Sequence, residues 1–79
     1  MKSAKQSEMN KTEAAKLASD FALQQGYDVH QYSLRVTKRI GEWEVYFQRK
    51  SAAKPQPGDF FSIYVDERSK TVNRIVHGK

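Results

Sequence analysis

Two stretches of this chain decide its fold: Trp43-Glu44-Val45-Tyr46-Phe47 and, after a loop, Phe61-Ser62-Ile63-Tyr64-Val65-Asp66. In both, large apolar side chains occupy every second position. A period of two is typical of a β-strand with one buried face, because successive side chains point to opposite sides of the sheet. The alternation therefore predicts two strands whose buried sides share a core row: Trp43, Val45, Phe47, Phe61, Ile63 and Val65.

A helix is predicted upstream of these strands, from about Lys11 to Gln25. Asn10 offers an N-cap, and Glu13 follows at the spacing of a capping box. Gly26 can take the left-handed conformation that often ends a helix. Apolar residues recur at helical spacing and form an alanine-rich face that can lie closely against a sheet. Its members are Ala14, Leu17, Ala18, Phe21 and Ala22.

The remaining strands follow from the same alternation and from the turns between them. Tyr32 to Arg39 and Thr71 to His77 are predicted as the first and the fourth strand. Ile40-Gly41-Glu42 predicts a tight hairpin, because glycine readily supplies a positive φ. We therefore expect an α+β domain in which one N-terminal helix packs on a four-stranded antiparallel meander. Four further residues are expected to join the core: Leu34, Val36, Val72 and Val76.

Length and composition predict one small domain. The chain has 79 residues and no cysteine, so disulfides and thiol ligands are excluded. Residues 1–9 carry little that could be buried, and we expect a flexible basic arm there. Residues 10–79 are expected to form the single α+β domain. The loop 51–59 contains both prolines, which exclude a central strand at that point.

Nothing in the sequence matches a catalytic or cofactor-binding pattern, and we expect a protein that is not an enzyme and needs no cofactor. The two histidines, His30 and His77, have no further ligand at metal-binding spacing. Asp66 and Glu67 are neighbours in a turn, whereas paired catalytic carboxylates must face each other across a pocket. We therefore predict neither a catalytic nor a metal-ligating residue.

Charge and hydropathy limit the compartment and the partners. The formal net charge is +5, but the basic residues are dispersed, which favours a solvated basic surface over a nucleic-acid tail. The opening segment, Met1 to Gln6, is polar and unlike a signal peptide. No apolar run approaches the roughly 20 residues that span a bilayer, so no membrane insertion is expected. We expect a cytoplasmic protein, with the proviso that a signal peptide removed from a longer precursor would leave no trace.

The side chains on the outward face of the strands give the strongest indication of a binding surface. A single helix can cover only one face of the sheet, so four large groups are expected to be open to water in a monomer: Tyr46, Phe60, Tyr64 and Ile75. Arg35 shares this outward parity, and Arg74 is a basic residue of the fourth strand that could contribute charge. The candidate binding residues are therefore Arg35, Tyr46, Phe60, Tyr64 and Arg74. Alternatively, the aromatic residues only stabilise an open sheet by pairing with each other across the strands.

A few positions resemble a known family type. They are Gly26-Tyr27 at the helix end, Trp43-x-Val45-x-Phe47, Val65-Asp66 before a turn, and Val72 after it. This pattern is similar to the small cystatin-like α+β domains of bacteria, such as PepSY-like domains and the short immunity proteins of nuclear-transport-factor-like fold. Ser69-Lys70 stands where these domains commonly have Thr-Gly. The resemblance implies binding or inhibition of another protein rather than catalysis.

Three functions remain open from the sequence. The first is a protein-binding module, such as an immunity or inhibitor protein, that uses the open sheet face or the loop 51–59 and binds a protein partner or a second copy. The second is a single-stranded nucleic-acid binder, in which Tyr46 and Tyr64 stack bases while Arg35, Arg49 and Arg74 hold phosphates. The third is a small-molecule carrier with a pocket between helix and sheet, which the bulky core residues disfavour.

Overall fold

The computed structural model describes residues 9–50 and 59–77. A helix and a short 3₁₀ turn precede four strands, which pair antiparallel with their neighbours in chain order. The elements are α1 (Lys11–Gln24), the 3₁₀ turn (Val29–Gln31), β1 (Tyr32–Arg39), β2 (Glu42–Arg49), β3 (Phe60–Asp66) and β4 (Val72–His77). Helix α1 contacts all four strands. The predicted class is confirmed: the chain is an α+β protein with one helix on a four-stranded antiparallel sheet.

Both ends of α1 are set by the residues predicted to set them. The Asn10 side chain accepts a hydrogen bond from the backbone N–H of Glu13 at 2.8 Å. The predicted capping box is wrong in its second half, because the Glu13 carboxylate pairs with Lys70 Nζ at 3.2 Å instead. At the other end Gly26 has φ +96, and the N–H of Tyr27 donates to the carbonyl of Ala22 at 3.0 Å. Positive φ at this point forms the αL cap that terminates the helix.

Helix α1 lies on the sheet through a line of alanines. Ala14, Ala18 and Ala22 follow each other at one-turn spacing, and each has 0% of its surface exposed. Residues four apart lie on the same helix face, and a methyl side chain holds the helix axis near the sheet. Leu17 and Phe21 flank the line and pack against the core only partly. The alanine line therefore sets the distance between the two layers.

The predicted core row is confirmed. Trp43, Val45, Phe47, Phe61, Ile63 and Val65 are all buried. The register explains this result, because the β2 and β3 members of the row stand directly opposite each other. Phe47 and Phe61 stack with ring centroids 4.8 Å apart and planes 10° apart. The indole Nε1 of Trp43 is buried and has no hydrogen-bond partner in the described part of the chain.

Two of the four additional core predictions are wrong. Val36 and Val72 pack against the core, but Leu34 is 37% exposed and Val76 is 48% exposed. Leu34 lies on the sheet's outermost strand, where no further strand covers it within the described ranges. Val76 stands opposite Ser62 and therefore points to the face away from the helix.

A β-bulge causes the error at Val76. Tyr64 pairs with Arg74 while Val65 pairs with Val72, so Asn73 is an extra residue in β4. An extra residue reverses the in-and-out alternation of the residues that follow it. The prediction that Ile75 faces water is wrong for the same reason, since Ile75 stands opposite Ile63 and packs against the core.

The prediction that the N-terminal arm includes Met9 is wrong. Met9 belongs to the hydrophobic core and is only 4% exposed. Its thioether side chain can fill irregular space beside the helix start, which is a common use of methionine. Residues 1–8 of the predicted arm and residues 51–58 of the predicted loop lie outside the described residues, so the structure does not test these two predictions.

Replacing the central alanine with leucine tests the close approach of α1. Ala18→Leu adds volume where the helix and the sheet meet, and we expect a loss of about 1 to 3 kcal/mol in unfolding free energy, measured by chemical denaturation. Lys16→Leu makes the same side chain on the exposed side of the helix and should cost less than about 0.5 kcal/mol. Equal losses for both variants would show that the alanine line does not pack on the sheet.

Candidate functional site

The sheet face away from α1 holds all five predicted binding residues. Arg35 stands opposite Tyr46, Gln48 stands opposite Phe60, and Tyr64 stands opposite Arg74. Side chains of directly paired residues share a sheet face. We call the surface formed by Arg35, Tyr46, Phe60, Tyr64 and Arg74 the open face. The bulge in β4 is required for this arrangement, because it brings Arg74 to the side of Tyr64.

The aromatic residues of the open face lie diagonally, not in one row. Tyr46 and Tyr64 are not direct cross-strand neighbours, because Tyr46 stands opposite Ser62 and Tyr64 stands opposite Glu44. The rings of Tyr46 and Phe60 are 6.5 Å apart at 47°. All three aromatic residues are half-buried, and the small Ser62 between them is buried at 9% exposure. The aromatic side chains therefore lean over the sheet and leave part of each ring in water.

Glu44 connects the outer and inner strands of the open face. Its Oε1 accepts hydrogen bonds from Arg39 Nη2 at 2.6 Å and from Arg39 Nε at 3.0 Å, while its Oε2 accepts from Ser62 Oγ at 3.1 Å. Two donors of one guanidinium on one carboxylate hold both side chains in place. The Arg39 guanidinium, helped by Ser62, lowers the pKa of Glu44, although partial burial acts in the opposite direction.

A second ion pair crosses the sheet from β2 to β4. Arg74 donates to the two carboxylate oxygens of Glu42 at 3.2 and 3.3 Å, and Asn73 Nδ2 donates to Glu42 at 3.2 Å. The guanidinium of Arg74 also lies 4.0 Å from the centre of the Tyr64 ring, which is a cation–π distance. Arg74 is therefore already engaged by an acid and an aromatic ring.

Arg35 differs from the other basic groups of the open face. It is exposed, and no carboxylate pairs with it within residues 9–50 and 59–77. It borders a shallow groove of about 420 Å³ whose other walls include Thr37, Tyr46 and Gln48. The positive charge of Arg35 is therefore available to a partner, next to a half-exposed tyrosine ring.

Arg49 lies outside the open face and is paired. Its Nε contacts Asp59 Oδ1 at 3.0 Å, its Nη1 donates to Gln31 Oε1 at 3.1 Å, and its guanidinium lies 5.4 Å from the centre of the Tyr32 ring. The predicted group of three phosphate-holding arginines is therefore not assembled. Of these three arginines, Arg35 is the one with no acidic partner among residues 9–50 and 59–77.

The two histidines and Asp66 belong to different elements of the fold. His30 is exposed in the 3₁₀ turn, and His77 is at the end of β4, 3.4 Å from the hydroxyl of Tyr27. No three metal-ligating side chains cluster anywhere in the described part of the chain. Asp66 is a turn former, as the sequence predicts: its carboxylate accepts the Ser69 N–H at 2.7 Å, which lowers the pKa of Asp66.

The sequence reasoning missed the polar connections of the open face. The link between Glu44 and Arg39 was not predicted from the sequence. Arg39 and Glu44 lie on the same sheet face. Glu44 stands directly opposite Thr37, and Arg39 is the next residue of β1 on that face, so Arg39 lies diagonally across from Glu44. Opposite charges at such diagonal positions are a usable signal for cross-strand pairing.

No protein-family model, curated protein or solved structure matches this chain. The resemblance to cystatin-like domains therefore stays a prediction. No described helix has the length and apolar content needed to cross a bilayer.

The Glu44 pair predicts a stability loss in acid. Because the folded pKa of Glu44 is lowered, the unfolded chain binds the proton more readily. The contribution of ionised Glu44 to the free energy of unfolding is complete above the ordinary carboxyl pKa of about 4. It is lost as the pH falls through the lowered pKa of the folded state. We expect Glu44→Gln to make the acid limb of a pH-stability curve shallower than in the wild type.

Arg39→Gln is the matched control for this measurement, because it removes the partner and leaves the carboxyl. It should also flatten the acid limb, and the double variant should add little to either single change. Acid limbs that are parallel in the wild type and all variants would contradict the assigned cause of the pKa shift.

Proposed function

We propose that this chain is a non-catalytic protein-binding module, of the immunity or inhibitor kind, that binds its partner through the open face. The observation that carries the proposal is the diagonal of half-exposed Tyr46, Phe60 and Tyr64, bordered by Arg35, with which no carboxylate pairs in the part of the chain that the structure describes. Tyrosine and arginine are enriched among the residues that dominate binding energy at protein interfaces. Partial aromatic exposure combined with a fixed polar border is typical of such surfaces.

Rigidity also supports a protein-binding role. The ion pairs of Arg39 with Glu44 and of Arg74 with Glu42 hold charged side chains around the aromatic diagonal. A surface that is ordered before binding loses less entropy when the partner arrives. The loop 51–59, the other binding element predicted from sequence, is described only at Asp59, so this part of the prediction has no structural support.

Nucleic-acid binding ranks second. Its support is the combination of tyrosines with a basic chain, since bases can stack on exposed aromatic rings. Two carboxylates, Glu42 and Glu44, lie on the same face and already pair with its arginines. Phosphates would have to displace those carboxylates or rely on Arg35 alone. The surface therefore suits a protein better than a polyanion.

Substitution of both tyrosines tests the proposed function. Immobilised wild-type chain should capture one or more proteins from a lysate of its native host, and Tyr46→Ser/Tyr64→Ser should lose them by about ten-fold or more. Leu23→Ser is the matched control, because Leu23 is a 52% exposed apolar residue on the helix. This control should retain the captured proteins.

Two further measurements complete the test. The double variant should lose only about 1 to 2 kcal/mol of stability, from cross-strand contacts and from the Arg74 ring contact. Sedimentation will show whether the captured partner is a second copy, because a wild-type dimer should then dissociate in the double variant. Unchanged capture with a large stability loss would place the tyrosines in a structural role and refute the proposal.

A further inference from the structure

The outer edge of β1 is a strand edge without a neighbouring strand in the described chain. The N–H of Lys50 donates to the carbonyl of Gln31 at 2.9 Å, which fixes the hydrogen-bonding phase between β1 and β2. In an antiparallel ladder, residues alternate between bonding their partner and pointing their backbone groups away. Odd-numbered residues of β1 therefore bond to β2, whereas the N–H and C=O groups of Leu34, Val36 and Lys38 point outward.

This edge also has a distinct chemistry on each of its two sides. On the helix side Leu34 is an exposed leucine beside the half-buried Val36. On the open-face side Arg35 is exposed, and no carboxylate pairs with it in the described ranges. β1 as a whole carries Arg35, Lys38 and Arg39 and no acidic residue. An incoming strand would thus meet backbone donors and acceptors, a helix side on which Leu34 and Val36 precede Lys38, and an open-face side that carries Arg35 and Arg39.

We propose that β1 receives an extended acidic segment of the partner protein as a fifth strand. Backbone hydrogen bonds to Leu34, Val36 and Lys38 supply affinity, and alternate side chains of the added strand supply specificity. A carboxylate opposite Arg35 pairs with its guanidinium, and an apolar side chain on the other parity covers Leu34. This inference rests on the proposed protein-binding function and names the chemistry of the partner.

Charge selects an acidic partner over a second copy of the chain. Two β1 strands paired edge to edge would bring together six basic side chains and no acidic one from the strands themselves. Lys38 and Arg39 pair with Glu67 and Glu44, so the repulsion comes mainly from the two copies of Arg35, which has no carboxylate partner in the described ranges. Basic residues on an edge strand are a common defence against self-pairing. The same charge attracts a strand that carries Asp or Glu, because opposite charges in directly facing positions stabilise a pair.

Selection from a yeast-displayed library of random peptides, about ten residues long, tests the inference. Peptides enriched on the wild-type chain should carry Asp or Glu alternating with apolar residues. Arg35→Glu should weaken their binding by about ten-fold or more, because it replaces attraction by repulsion. Arg68→Glu makes the same change in net charge at an exposed turn residue and should have little effect.

Backbone pairing is tested separately from charge. Leu34→Pro removes an outward N–H, which an edge strand tolerates when that N–H faces solvent. It should abolish binding of the selected peptides, whereas Leu34→Ala should weaken it only modestly. In the wild type, added peptide should slow amide exchange at Val36 and Lys38, a result that does not depend on any variant folding.

Several outcomes would overturn the inference: no enrichment, enrichment of peptides that are not acidic, equal weakening by Arg68→Glu, or no protection of the two amides. The proposed function can fail independently. The host proteins could be lost with Tyr46→Ser/Tyr64→Ser and retained with Arg35→Glu and Leu34→Pro. That result would support the open face as the binding site and refute the added strand. Retention in all these variants would refute both.

Discussion

The close packing of Ala14, Ala18 and Ala22 on the sheet is the contact on which the rest of the structure depends. Three methyl groups with no exposed surface allow α1 to lie across all four strands. Beneath them Phe47 and Phe61 stack and fill the space between the layers. A small chain with one helix can build only one such layer. The opposite sheet face must therefore be made stable without a second layer.

Polar connections and leaning aromatic rings provide that stability. Glu44 joins Arg39 to Ser62, and Glu42 joins β2 to Arg74 across β3. Exposed ion pairs contribute little individually, so their main effect is to fix side-chain positions around the tyrosines. Arg35, which has no acidic partner among the described residues, is the exception. The open face is thus an ordered surface, and Arg35 at its edge carries a charge that a partner can use.

The fold was predictable because local signals agreed. Asn10 and Gly26 mark the helix ends, and the alternation through Trp43 and Phe61 defines the central strands. The bulge at Asn73 was not predictable, because no residue type requires it, and it reversed the predicted sides of Ile75 and Val76. Met9 was assigned to the arm because a single methionine shows no periodicity. Arg35, Tyr46, Phe60 and Tyr64 were found from parity, whereas Arg74 was chosen for its charge and reaches the open face only because of the bulge. The ion pairs depend on side-chain reach, which the alternation of residues does not report.

Accessibility of the ring protons to a soluble paramagnetic gadolinium chelate, measured by NMR relaxation, tests the one-sided core most directly. We predict strong relaxation at Tyr46, Phe60 and Tyr64 and little at Phe47 and Phe61, because only the first group borders water. A partner or second copy added at saturating concentration should protect the first group. Rings of Tyr46 and Tyr64 as protected as those of Phe47 in the isolated monomer would contradict the account.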